Sequence, residues 1–293
     1  METYFVETPV LNIGYHVVGP EEGTPVLLLH GFPDDAQSWE PVMQGLAQHG
    51  YRTYAPYLRG FGPTTFLSAN SPRSGQNAAL AQDTVDFADA LGLQAFTLVG
   101  HDWGANAGQA VAAIYPERVR HLISFSPYSI TWDDYQGGLP NYPQIHALWY
   151  LYVLQSEIGE GLLYGDAKGF ARYLWQTWSP TWSFTESDFE RTAASFDNPD
   201  FAQIVLNAYR WEPSGHDATY TNLEKKLAQR PPISVPTTVL LGREDGVNIF
   251  APPMLEQTAD FRGQYRATVT DGVGHFIHRE RPDVVIEALV KNV

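Results

Sequence analysis

The chain has 293 residues, 18 Lys+Arg against 33 Asp+Glu for a net charge of −15, no cysteine, and 44% hydrophobic with 13% aromatic content. A chain of this length buries about three-quarters of its unfolded surface without staples, and the missing cysteine excludes disulfides, a cysteine nucleophile and thiolate zinc sites. An acidic chain with four lysines repels nucleic-acid phosphates and anionic lipid headgroups, so neither partner is expected.

In chain order, short apolar runs alternate with amphipathic stretches as far as about residue 126, the pattern of strands and helices around a parallel sheet. Strands are predicted at Val10 to Val18, Pro25 to Leu29, Arg52 to Pro56, Phe96 to Val99 and His121 to Phe125. Helices are predicted at Trp39 to His49 and at Gln76 to Leu91, the second closed by Gly92. Residues 127–222 break the rhythm and read as several short helices punctuated by Gly137-Gly138, Gly159, Ser179-Pro180 and Asn198-Pro199. They hold 20 of the 39 aromatic residues and six of the eight tryptophans. The α/β pattern then resumes with a strand at Thr237 to Leu241, a helix at Pro253 to Thr258, a strand at Tyr265 to Val269 and a closing helix at Pro282 to Val290. The expected organisation is an α/β core over 1–126 and 223–293 with a helical cap over 127–222. The start at Met1 lacks the basic and apolar runs of a secretory leader. No apolar run reaches the roughly 20 residues of a membrane span, so a cytoplasmic protein is expected.

The strongest local signal is Leu98-Val99-Gly100-His101-Asp102-Trp103-Gly104, an apolar strand running into Gly-x-Asp-x-Gly and then a small-residue helix from Asn106 to Ile114. A nucleophile elbow needs this strand, sharp turn and helix, with glycines two before and two after the nucleophile so that strand and helix pass closely. Asp102 takes the central position. Read alone, the same residues make an ordinary turn with Asp102 capping a helix; the partners downstream favour the elbow. A carboxylate is already ionised at pH 7 and needs no base to attack saturated carbon. It forms an alkyl ester of the enzyme, and water must then attack the enzyme's own acyl carbon.

His275, just past the last predicted strand, is the candidate base for that water. The chain has nine histidines, and His278 competes locally, although a solvated or structural role suits it better. Asp245, with Glu244 as the alternative, follows a buried strand and can orient the imidazole; a solvated acidic loop would look the same. Ahead of the elbow, His30-Gly31-Phe32-Pro33 ends a strand, where the Phe32 and Trp103 N–H groups can form an oxyanion hole. A cis Phe32-Pro33 bond is compatible with that turn.

These residues resemble the α/β-hydrolase superfamily, and within it the aspartate-nucleophile branch shared by epoxide hydrolases and haloalkane or haloacetate dehalogenases. The resemblance spans essentially the whole chain. It is carried by His30 to Pro33, Arg59-Gly60-Phe61-Gly62, Gly100 to Gly104, Gly242 to Asp245, and Gly274-His275-Phe276 with Arg281-Pro282. It implies the α/β-hydrolase fold, a mostly parallel central sheet flanked by helices with an inserted helical cap. It also implies an epoxide hydrolase in which two cap tyrosines hydrogen-bond the epoxide oxygen. Leu206 to Arg210 is similar to the second tyrosine motif and assigns that role to Tyr209. Trp149 to Gln155 is similar to the first and points to Tyr150, with Leu154 and Ser156 to Gly159 departing from the family pattern and Tyr152 left open. His30, Phe32, Trp103 and Tyr152 are the expected substrate contacts. Tyr57 replaces an aspartate common in the superfamily.

Trp103 and Asn106 stand where haloacetate dehalogenases place arginines, and Ser126-Pro127 lacks the acid that one haloalkane group uses. A second haloalkane group binds halide with the tryptophan after the nucleophile plus a cap tryptophan, and this chain offers Trp103 and six cap tryptophans. Haloalkane dehalogenase is therefore the alternative, and a non-catalytic hydrolase fold binding an apolar ligand is a third. No metal or organic cofactor is expected. The expected partners are a small to medium apolar substrate and water, and a homodimer is left open.

Overall fold

The computed structural model describes residues 1–129, 142–210, 219–249, 255 and 259–292. Nine strands among them form one sheet: β1 (Tyr4–Glu7), β2 (Leu11–Val18), β3 (Thr24–Leu29), β4 (Tyr51–Pro56), β5 (Thr65–Phe66), β6 (Phe96–Gly100), β7 (Val119–Ser124), β8 (Thr237–Gly242) and β9 (Tyr265–Thr270). The order is β1-β2-β4-β3-β6-β7-β8-β9, with β5 paired to β2. β4 through β9 along that order are mutually parallel, and β1, β2 and β5 make the antiparallel edge.

The central strands are covered on both faces, which is why they read as continuous apolar runs. Val26 and Leu28 of β3, Val99 of β6 and Leu240 of β8 face one cluster with α1 (Glu40–Ala47). Leu27, Leu29, Leu98 and Leu241 face the other, with α2 (Asn77–Ala90) and α3 (Trp103–Ile114). Gly92 closes α2 at φ +71°, as its position predicts.

Between β7 and β8 lie the helices of the cap, α4 (Tyr142–Ala147), α5 (Trp149–Leu154), α6 (Glu157–Trp178), α7 (Glu186–Ala193) and α8 (Phe201–Tyr209), and then α9 (Thr221–Leu227), which crosses the expected boundary at 222 and packs on α2 and α3 of the core. The expected break falls at Gln155-Ser156, between α5 and α6, rather than at Gly159, and α6 is itself two helical segments joined by a kink at the non-helical Asp166. Burial of Leu163, Phe170, Leu174, Trp175 and Trp178 along it outweighs the helix penalty of its glycines, about 1 kcal/mol each. The chain ends in α10 (Ile277–Glu280) and α11 (Pro282–Asn292), and α11 packs on α1. The predicted helix at Pro253 to Thr258 lies outside the described residues apart from Leu255. β1 went unpredicted because it is a half-exposed edge strand, with Phe5 54% exposed. Among the described residues no helix is long and apolar enough to cross a membrane.

Candidate active site

Four loops at the carboxyl ends of parallel strands converge, where ligands of open α/β sheets bind. Between β6 and α3, Asp102 adopts φ 51° and ψ −117°, a costly conformation for a non-glycine residue that packing must hold. The turn has no room for a side chain beside it: a Cβ on Gly104 would lie 2.2 Å from the Leu29 carbonyl. Past the end of β3, where the Phe32-Pro33 bond is cis, the Phe32 N–H donates to Asp102 Oδ1 at 2.8 Å. The Trp103 N–H acts on the same carboxylate. Burial raises the Asp102 pKa, opposed by His275 and by these two amides.

Past β9, His275 is 3% exposed. Its Nδ1 hydrogen-bonds Asp245 Oδ2 at 3.0 Å, and its Nε2 lies 3.8 Å from Asp102 Oδ2. Burial disfavours the imidazolium, but the Asp245 charge and hydrogen bond outweigh it, and the His275 pKa is raised. Burial likewise pushes Asp245 up, and His275 with the backbone N–H groups of Asn248 and Val247 pulls it below its usual value. Asp245 Oδ1 takes the Val247 and Asn248 N–H groups, and Asn248 Nδ2 donates to Oδ2 at 2.9 Å. Glu244 is turned elsewhere, with Oε2 accepting from the Val273 N–H.

The cap adds two tyrosines. Tyr209 ends α8, and its hydroxyl accepts a hydrogen bond from Trp103 Nε1 at 2.9 Å. Tyr150 of α5 meets the Tyr209 ring edge to face at 5.6 Å. Asn207 seats α8 on the core, its side chain accepting from the Gly75 N–H at 2.7 Å and its carbonyl from Gln76 Nε2 at 2.5 Å. Gln155 ties α5 to the Tyr209 carbonyl. Asp102, Trp103, Tyr150 and Tyr209 share a cleft of about 660 Å³, counting its open mouth.

The structure thus brings together Asp102, His275, Asp245, the Phe32 N–H, Trp103, Tyr209 and Tyr150, and leaves three expected substrate contacts off the cleft lining: the fully buried Phe32 ring, Tyr152 and His30. Tyr152 is 41% exposed, because two residues along a helix from Tyr150 is the opposite face. His30 is fully buried, with Nε2 accepting the Leu58 N–H and Nδ1 bonded to the Gly31 carbonyl. It braces the loop rather than lining the cleft, and burial lowers its pKa to about 4. His278 is fully buried on Asp34 at 2.9 Å, so its role is structural and the solvated option is excluded. Asp34, His101 and His278 bring potential ligand atoms within 4.8 Å. Asp34 is already paired with Arg279 at 2.5 Å, whose charge would repel a metal ion there. The cleft is also less apolar than expected, since Gln76, Asn77, Asn106 and Asn248 line it. Roles for Asn248, Asn207 and Gln155 were not foreseen from the sequence; for Asn248 the signal was Asp245 ahead of Gly246, since an Asx turn, here the Val247 N–H on Asp245 Oδ1, folds the following residues back onto the acid.

Residues 24–282 match the alpha/beta hydrolase fold family. A crystal structure of a candidate epoxide hydrolase from Klebsiella pneumoniae superposes with a TM-score of 0.93 at 40% identity, covering 99% of this chain and 96% of that one. An epoxide hydrolase of Caballeronia sordidicola is 27% identical over 96% of this chain and 90% of its own length. Epoxide hydrolase 2 of Siraitia grosvenorii is 40% identical over 39% of this chain, a match spanning about a third of that protein (36%). The chain belongs to the α/β-hydrolase fold family, as a hydrolase of its epoxide hydrolase branch.

Proposed function

We propose that the protein hydrolyses small to medium, uncharged epoxides to vicinal diols through an ester of Asp102. Asp102 Oδ2 attacks an epoxide carbon as the ring C–O bond breaks, and the departing oxygen takes the proton of Tyr209, assisted by Tyr150. His275, oriented by Asp245, then takes a proton from water whose oxygen adds to Asp102 Cγ. The resulting oxyanion is held by the Phe32 and Trp103 N–H groups. Collapse expels the diol oxygen, which takes up the new carboxyl proton, and the imidazolium proton returns to the Tyr209 phenolate. Epoxide and water are consumed and every enzyme group is restored.

The observation that carries this reading is the hydrogen bond from Trp103 Nε1 to the Tyr209 hydroxyl. An oxygen that accepts from the indole keeps its own proton to donate, and the indole N–H that a halide would need is engaged. The haloalkane reading draws support from Trp178, whose buried Nε1 has no hydrogen-bond partner among the described residues. Leu151, Val247 and the tyrosine rings suit an apolar substrate body, and no cationic side chain lines the described cleft.

The test is turnover of styrene oxide beside ethyl bromide. Diol formation with no bromide release supports the reading, and bromide release without diol overturns it.

A further inference from the structure

The carboxyl end of α6 reaches both loops that carry the acid and the base. The Trp178 carbonyl accepts from the Gly246 N–H at 2.9 Å, next to Asp245, and from the N–H of His275 itself at 3.1 Å. One residue on, Ser179 Oγ accepts from the Phe276 N–H at 3.1 Å and donates to Glu280 Oε1 at 2.7 Å. Glu280 in turn accepts the Gly274 N–H, at 3.1 and 3.0 Å from its two oxygens. The amides of three consecutive residues, Gly274, His275 and Phe276, therefore all end on the cap terminus or on the carboxylate that it binds. The approach is close, since a Cβ on Gly274 would lie 2.4 Å from Ser179 Cα. Ser179 is 1% exposed, and the Trp178 ring lies edge to face on the His275 imidazole at 5.1 Å.

Asp245 fixes one nitrogen of the imidazole but not the backbone from which the ring projects. His275 must hold Nε2 about 4 Å from the nucleophile, and a displacement of about 1 Å in such a geometry costs about 100-fold in rate. We infer that Ser179 and Glu280 are positioning residues for His275, forming a strap by which the cap holds the base in register with Asp102. The inference rests on His275 acting as the base of ester hydrolysis. It separates the two chemical steps: attack by Asp102 uses no atom of the strap, whereas activation of water depends on it.

Ser179→Ala removes the hydroxyl's two links, and Ser179→Thr returns a hydroxyl to the same place. In single-turnover experiments with styrene oxide, Ser179→Ala is expected to form ester at the wild-type rate within about twofold. Hydrolysis slows about 10- to 100-fold, so kcat falls, kcat/KM holds, and the ester accumulates in intact-mass spectra. Ser179→Thr restores most of kcat. Glu280→Gln, which keeps an acceptor for the Gly274 N–H, loses less than Ser179→Ala. Equal falls in kcat and kcat/KM, or an unchanged hydrolysis rate, overturn the strap. A readout free of substrate is the proton resonance of the His275 Nδ1–H bonded to Asp245, identified by its loss in His275→Gln. It broadens or disappears in Ser179→Ala and returns in Ser179→Thr; an unchanged resonance in Ser179→Ala overturns the strap whatever the substrate is. A wild-type enzyme that shows this resonance yet turns over no epoxide counts against the ester chemistry and not against the strap.

Discussion

The Phe32 N–H holds one oxygen of Asp102 at 2.8 Å, while the other oxygen faces His275 Nε2 at 3.8 Å. The two oxygens therefore have different neighbours, and under the proposed mechanism Oδ1 lies where negative charge develops during ester hydrolysis while Oδ2 is left to attack. His275→Gln keeps a side chain of similar size but cannot accept the water's proton. Ester hydrolysis is expected to slow by about 10²- to 10⁴-fold while ester formation continues. Intact mass after incubation with styrene oxide should rise by the whole epoxide; a protein of unchanged mass would contradict the assigned order of steps.

Tyr209 and Trp103 are coupled by their hydrogen bond. Tyr209→Phe is expected to cost about 100-fold in the ring-opening rate. Trp103→Phe removes one neutral donor worth about 0.5–1.5 kcal/mol, or about 3- to 10-fold. In a Tyr209→Phe background the Trp103→Phe change should cost nothing further. Pre-steady-state ester formation across the double-mutant cycle measures this, and additive losses would show that the indole acts on something other than the phenol.

The pH dependence follows from the direction of the His275 shift. Burial opposes the imidazolium, Asp245 more than compensates, and the pKa lies above the ordinary value. A base must be neutral, so the acid limb of the hydrolysis step is expected above about pH 6.5. The stabilising contribution of charged His275 is complete below that unfolded value and is lost as pH rises through the folded one. Asp245→Asn leaves burial without its compensating charge, and an NMR titration of His275 should move downward. An upward or absent shift would show that Asp245 is not the dominant influence.

Behind the Gly75 to Asn77 segment of the cleft lining, Arg59 is 1% exposed and donates to both oxygens of Asp83 at 2.6 Å, to the Tyr220 hydroxyl at 2.8 Å and to the Ser74 carbonyl at 3.0 Å. Arg59→Met removes the cation and leaves Asp83 buried. Urea unfolding should record a loss of about 3–5 kcal/mol. The paired change with Asp83→Leu should recover part of that loss, because no uncompensated charge then remains.

Asp102, His275 and Asp245 were legible because each follows a buried apolar strand, and strand ends in a parallel sheet share one edge whatever the strands' separation along the chain. The central strands were legible for a related reason, since strands covered on both faces leave long apolar runs. β1 was not, because an exposed edge strand needs no apolar pattern, and the course of α6 through its glycines was not, because packing of its apolar face overrides local propensity.

What the sequence by itself determined was the set of groups on offer, an aspartate in an elbow-like turn with an acid and a histidine after later strands, since residue identity fixes which atoms can attack or carry a proton. Tertiary structure alone decided which side chains face the cleft. It selected Tyr150 over Tyr152 and turned His30 into a brace. It also joined Ser179 to a histidine loop almost a hundred positions away. Motifs specify local turns, but orientation and distance arise only when helices from one part of the chain pack across the strand ends of another.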